Sequence, residues 1–402
     1  MSVGVRWLSL GPGSGYGNSS EAYISGLRSA GIPVSWGPIE WVPNVWGQPL
    51  GPVEHADREG QRHGDIANIP IEHDAVVVHA TPVWAEQLAR EAEGRLLAAF
   101  TTWEADRLPP DRVAILNRYD RVLVPSCFNA AIFESSGVTK PIHVVPHIAR
   151  AISPAEHAER HAAKPKFVFY MIATWTTRKA ILDAVDAFIA AFRAEDPVRL
   201  VIHTTAEDLV TSARPVDEAG IITASRNASW YTLARALSGH AGVPEIVLST
   251  RQLSDAQIDA LHAGCDCFVS LSRGEGWGLG AFDAAAFGNP VVVTGWSGTL
   301  EFLPADYPYC VEYDLVPTIS EPRDAWWAPR PGENWAKARV PHAARLLREV
   351  FERRDEAREW GRALQANVLV QFDSERITAR LLDALRAEPA LSERSSHEGV
   401  AG

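Results

Sequence analysis

The chain has 402 residues, enough for two domains with separate cores. Its balance, 46% hydrophobic and 22% charged with a formal net charge of −12, is that of a globular protein. It excludes a phosphate-backbone binder built on a basic face, so no nucleic-acid partner is expected. Four cysteines, Cys127, Cys265, Cys267 and Cys310, are too few and too badly spaced for a disulfide scaffold. Cys265-Asp-Cys267 lacks zinc spacing and a matching second pair. Buried free thiols in a cytoplasmic protein are expected. The N-terminus holds no apolar run of signal length, and no stretch approaches ~18 apolar residues, so no transmembrane segment is expected. Peripheral membrane contact and oligomeric state stay open.

Residues 3–10 read as a strand ending in Gly11-Pro-Gly13-Ser-Gly15-Tyr-Gly17-Asn18. Asn18 and Glu21 have capping-box spacing for a following helix. Residues 37–70, rich in Pro, Gly and Trp, read as a long loop. Strands at 75–79, 95–100, 121–125 and 142–146 then alternate with helices at 82–93, 110–119 and 129–136. Continuously apolar strands between helices predict an α/β fold with a parallel sheet covered on both faces. Residues 147–165 are polar and read as a linker.

Alternation restarts with strands at 166–173, 198–203, 245–248 and 267–270 and helices at 179–193, 230–238 and 255–263. After a strand at 309–311 comes an irregular segment with Trp326, Trp327 and Trp335. Helices follow at 336–353, 356–369 and 374–385. Residues 388–402 read as a disordered tail. The organisation is thus an N-terminal domain over 1–150 and a second over 166–371, both doubly wound and Rossmann-like. Ligands in such sheets bind beyond the carboxyl ends of the strands, here in the cleft between the domains.

The chemistry concentrates in SRGEGWGLGAFDAAAFGNPVVVTGWSG, Ser272 to Gly298. Gly276 and Gly278 let backbone approach a ligand. A helix starting near Leu279 points free N–H groups at the turn and favours a phosphate. A carboxylate beside a phosphate is repelled, so Glu275 suits sugar hydroxyls, and Asp283, a turn into the helix, suits the hydroxyls of a ribose. Alone, a Gly-Glu-Gly turn would read as a solvent loop and Asp283 as a solvated helix residue; the turn's place between a buried strand and a helix leaves that reading and a ligand site both open.

The stretch from Ser272 to Leu303 resembles the carboxyl-terminal signature of retaining glycosyltransferases of family 4, which have the GT-B fold. That family carries an E-x7-E pattern; here Glu275 and Asp283 form an E-x7-D variant, whose second side chain is one methylene shorter. Thr174-Trp-Thr-Thr-Arg178-Lys179 resembles the family's segment that supplies cations to the donor diphosphate. Leu123-Val-Pro-Ser126 and Val144-Val-Pro-His147 resemble the strand ends that close the first domain, and residues 253–268 the segment bounding the base pocket. The resemblance is strong over about 120–303 and weaker before it.

It implies a metal-independent, cofactor-free, retaining transferase that moves a sugar from a nucleotide-sugar donor to a glycan or small-molecule acceptor. A non-catalytic relative and a nucleotide-sugar epimerase are the alternatives on the same fold. The donor-binding residues would be Gly15, Arg178, Lys179, Leu253, Glu275, Gly276, Trp277, Gly278, Leu279 and Asp283. The acceptor side would be Gly13, Tyr16, His79, Trp103 and Glu104. Many relatives carry a sugar-contacting His where this chain has Thr101 and Thr102; Glu104 and Trp103, the latter as a stacking surface, are the expected substitutes. Catalysis would rest on Glu275, Arg178, Lys179 and Glu104, and Glu104-Ala-Asp106 is assigned no metal. The resemblance also implies that the last helix, 373–387, crosses back to the first domain.

Overall fold

The computed structural model describes residues 4–11, 13–39, 63–82, 94–150, 165–206, 228–319 and 331–387. The expected helix over 82–93, most of the 37–70 loop and of the linker, Trp326, Trp327 and the tail lie outside the described residues.

The first domain is a six-stranded parallel sheet of β1 (Val5–Leu10), β2 (Val34–Ile39), β3 (Ala75–His79), β4 (Leu96–Phe100), β5 (Arg121–Val124) and β6 (Ile142–Val144). Its order is β2-β1-β3-β4-β5-β6. The apolar run of β3 is buried along its whole length because helices cover both faces. Those helices include α1 (Gly15–Ser29), α2 (Pro110–Leu116) and α3 (Cys127–Ser136).

The second sheet joins β7 (Phe167–Ile172), β8 (Val198–His203), β9 (Glu245–Ser249), β10 (Cys267–Ser270), β11 (Val291–Thr294) and β12 (Cys310–Val311). It is also parallel, in the order β12-β11-β10-β7-β8-β9. Its helices are α4 (Ile181–Ala191), α5 (Ala228–Leu237), α6 (Asp255–Gly264), α7 (Leu279–Ala286) and α8 (Val340–Glu352). The strand order switches between β1 and β3 in one sheet and between β7 and β10 in the other. The crevice at such a switch is where open α/β sheets take their ligands, so four loops frame the site.

Three elements differ from the sequence reading. The β2 strand contains Gly37-Pro38, a turn signal that an edge strand tolerates. An antiparallel hairpin, β13 (Tyr313–Pro317) with β14 (Asn334–Ala338), takes Trp335 and Ala336 out of the expected irregular and helical segments. Helix α1 begins at Gly15, capped by Ser14, whose hydroxyl accepts from the Gly17 N–H at 3.0 Å. Asn18 instead accepts from Gly13 N–H inside the loop. Of the cysteines, Cys265 and Cys267 are buried, Cys310 is half-buried, and Cys127 is exposed at the start of α3, against expectation. All four are free.

The chain ends in α9 (Arg354–Gln371), packed on α7, and α10 (Ser374–Arg386), packed on α1 of the first domain. The Arg121 guanidinium donates to the Ala384 and Ala387 carbonyls and ties the end of α10 to the first sheet. One apolar cluster runs through both domains, from Trp7 and Tyr23 to Trp277 and Phe282. Among the described residues no helix is long and apolar enough to cross a membrane.

Helix α9 sits against the second domain with no room to spare. A Cβ at Gly361 would lie 2.3 Å from the Gly288 carbonyl oxygen. Gly361→Ala therefore lowers stability by about 1–3 kcal/mol, despite the better helix propensity of Ala. Thermal denaturation reads this as a fall in Tm; an unchanged or higher Tm would show that α9 can shift away.

Candidate active site

The turn between β10 and α7 is built by close contacts with the first domain. A Cβ at Gly274 would lie 2.0 Å from the Glu104 carbonyl oxygen, and one at Gly276 would lie 2.4 Å from Cβ of Thr102. What approaches Gly276 is therefore the 101–104 loop, a correction to the expectation that its missing Cβ admits a ligand. Gly278 has φ +90° and forms the left-handed start of α7, with no side-chain cap on the helix. The Ser126 hydroxyl, at the end of β5, donates to the Gly276 carbonyl at 2.9 Å. Ser297 adopts φ 72°, ψ −163°, a region nearly reserved for glycine. Its hydroxyl accepts from the Glu275 N–H at 3.0 Å, while the Gly298 N–H donates to the Glu275 carbonyl.

Held this way, the Glu275 side chain meets two cations. Lys179 Nζ lies 2.5 Å from its Oε1 and Arg178 Nη1 3.1 Å from its Oε2. Both cations sit in the turn between β7 and α4, which ends at Ala180 with φ 47° and leaves α4 without a side-chain cap. Arg178 Nη1 also donates to the Gly274 carbonyl, and Nε lies 3.0 Å from Glu104 Oε2, across the domain boundary. Burial pushes the Glu275 carboxyl up, but Lys179 and Arg178 outweigh it and hold it near 2. Burial pushes the Lys179 ammonium down, with Glu275 opposing.

The second carboxylate has a different partner. Arg150 reaches Asp259 at 3.1 Å, Asp283 at 3.7 Å and Asp255 at 3.8 Å. Burial pushes the Asp283 carboxyl up to about 7; Asp259 and Asp255 add to the rise and Arg150 opposes it.

On the first-domain wall, the Tyr16 hydroxyl lies 3.3 and 3.2 Å from the Thr101 and Thr102 hydroxyls and accepts from the Thr102 N–H. Gly13 and Gly15 are exposed. A Cβ on Gly15 would stand 3.9 Å from Leu279, so the Gly-rich loop faces the first residue of α7.

Comparison with known proteins decides what this cleft belongs to. Residues 127–370, more than half of the chain, match the model of the family described as Family 4 Glycosyltransferase in conflict systems. The chain belongs to that family.

A comparison with curated proteins finds no match. Sucrose-phosphate synthase from Thermosynechococcus elongatus is similar in fold, with a TM-score of 0.65 at 14% identity over 96% of this chain and 98% of that one. HepE of Anabaena, solved with UDP and glucose, gives 0.59 at 14% identity over 95% and 99%. The E. coli trehalose-6-phosphate protein bound with UDP-2-fluoro glucose gives 0.59 at 11% identity over 96% and 99%. The fold is GT-B.

In this glycosyltransferase Glu275, Arg178, Lys179 and Glu104 form one cluster, and Gly15 and Leu279 face each other. Leu253 is half-buried just before α6, the helix that carries Asp255 and Asp259. Three expected contacts are corrected. The Trp103 ring is 3% exposed, and its N–H donates to Glu333 of the hairpin, so it offers no stacking face. His79 is 1% exposed, bonded to the Ser20 hydroxyl and stacked on Phe100, behind Tyr16; burial pushes its imidazole well down. The Trp277 side chain packs among His147, Phe282, Phe302 and Phe372, so only its backbone borders the turn.

Sequence reasoning missed Arg150, placed in the linker, and Glu333 and Asn334, placed in an irregular segment. None of the three has a motif; only the packing of distant segments exposes them.

The raised Asp283 carboxyl makes stability fall with pH in the free enzyme. The folded state keeps the proton between about 4 and about 7, so the stabilisation is complete below the unfolded value and lost as pH rises through about 7. Asp283→Asn removes that loss and is the more stable protein at pH 8, by at most about 4 kcal/mol. A difference in Tm between variant and wild type that does not grow from pH 4 to pH 8 would refute the assignment.

Proposed function

We propose that this glycosyltransferase moves a sugar from a nucleoside-diphosphate sugar to an acceptor hydroxyl with retention at the anomeric carbon. The observation that carries the reading is the Arg178–Lys179 cation pair, fixed beside Glu275 at the switch point between β7 and β10. Two helices, α4 and α7, start there without side-chain caps. Cations at a helix N-terminus oppose its dipole, so a bound anion would resolve both.

In this mechanism Arg178, Lys179 and the start of α7 stabilise the departing diphosphate. Glu275 orients the sugar hydroxyls and Asp283 takes those of the ribose. The acceptor attacks from the face the diphosphate leaves, and a phosphate oxygen takes its proton, so no protein nucleophile is needed. The acceptor, a glycan or small molecule, would enter past Tyr16 and the Gly13–Gly15 loop. The UDP complexes of the structural neighbours make UDP the first nucleotide to test.

Arg178→Ala and Lys179→Ala are expected to weaken nucleoside-diphosphate binding and lower kcat/KM by about 10²–10³. Glu275→Gln should damage turnover more than nucleotide binding. Calorimetry across nucleoside diphosphates, with steady-state kinetics, reads both. Wild-type behaviour of the two cation variants would overturn the reading.

The reaction is proposed to need no metal. Glu104 turns to Arg178, while Asp106 accepts from the Asn334 N–H and side-chain amide at 2.7 and 2.8 Å, so the two carboxylates diverge. Activity is expected to persist in EDTA; loss restored by Mn²⁺ or Mg²⁺ would reopen this segment as a metal site.

A further inference from the structure

We propose that Glu104 stands on Arg178 as a placeholder for the donor's diphosphate and is displaced from it when the donor binds. This rests on the assignment of Arg178 and Lys179 to the diphosphate. In the free protein the two cations face two carboxylates, Glu275 and Glu104, so the cluster is neutral before any anion arrives. A diphosphate brought against four such groups in a cleft of low dielectric meets as much repulsion as attraction unless one carboxylate withdraws.

The geometry points to Glu104 as the one that yields. Glu275 is bound by Lys179 and Arg178 through its side chain and by Ser297 and Gly298 through its backbone. Its side chain is only 10% exposed, whereas that of Glu104 is 27% exposed. Arg178 gives Glu275 and Gly274 its Nη1 atom and gives Glu104 its Nε. The guanidinium edge containing Nε is one of the forks that match a phosphate's two oxygens, and Glu104 holds its Nε.

The movement is confined to a side chain. The Glu104 backbone is pressed against Gly274. Its neighbour Trp103 is bonded to Glu333, Ala105 is fully buried, and Asp106 is bonded to Asn334 in both directions. The hairpin thus clamps the loop on either side of Glu104, so the carboxylate can swing off Arg178 by changing rotamer while the domains stay in contact. The Arg178 guanidinium keeps Glu275 and the Gly274 carbonyl throughout, so exchange does not leave it loose.

The test is calorimetry of wild type, Glu104→Gln, Glu104→Ala, Arg178→Ala, the double variant and Asp111→Asn with UDP, GDP, ADP and inorganic pyrophosphate. Glu104→Gln is nearly isosteric, so it decides the matter if Glu104→Ala folds poorly. Removing the placeholder is expected to tighten binding about three- to tenfold. Asp111→Asn, which removes an equal charge from the Asp111–Arg112 pair at the start of α2, outside the cluster, leaves affinity unchanged. In the Arg178→Ala background Glu104→Gln has no further effect. A carboxylate that merely supported the site would give the opposite sign, so weaker or unchanged binding in Glu104→Gln overturns the proposal. Weak binding in Arg178→Ala together with unchanged binding in Glu104→Gln sinks the placeholder alone. Undiminished binding in Arg178→Ala, or no binding of any ligand by wild type, sinks the diphosphate assignment and the placeholder with it.

Discussion

Four charged side chains at the domain boundary, Arg178, Lys179, Glu275 and Glu104, constrain the rest of this structure. Taking them out of water costs several kcal/mol per ion, and only close pairing offsets it. Every neighbouring feature serves that closeness. Gly274 and Gly276 let the turn press on the 101–104 loop, and Ser126 and Ser297 hold it from two sides. The strained backbone of Ser297 costs of order 1–3 kcal/mol, which persists only because its surroundings over-determine it. Strain and buried charge at one point on the crevice are what a site organised before its substrate arrives would require.

The aromatic residues do the complementary task. The chain has 14 tryptophans, and the sequence reading offered Trp103 as a sugar platform. Trp103 and Trp277, beside the site, are both inside. Trp103 is tied to the hairpin, and Trp277 plugs the apolar cluster that joins the domains, with His147 against its edge. A large ring buried at a domain seam gains more from packing than from an exposed face. Among the described residues, the first-domain wall presents Tyr16, Thr102 and the exposed Gly13 and Gly15 instead.

The two carboxylates eight positions apart were legible as a pair, because the turn and the start of α7 fix one in the loop and one on the helix. Their opposite electrostatics were not. Glu275 sits by two cations and is held at about 2, whereas burial, with Asp259 and Asp255 adding to it, pushes Asp283 up to about 7. Burial raises both carboxyls; Arg178 and Lys179 reverse that at Glu275, whereas at Asp283 burial prevails, with Arg150 opposing it and Asp259 and Asp255 on α6 adding to it.

What the sequence determined by itself is the local, periodic part. Continuous apolar strands between helices specify two parallel sheets, and the glycine turn after β10 marks the carboxyl edge of the second. These signals lie within one or two elements and need no knowledge of what packs on them. What only the tertiary structure decided is which side chains meet across the cleft: Glu104 with Arg178, Trp103 with Glu333, and Arg150 with Asp283. Those partners are 74 to 230 residues apart, by their numbering. Their encounter depends on the docking of two finished domains, and no local pattern in a chain encodes the orientation in which its domains dock.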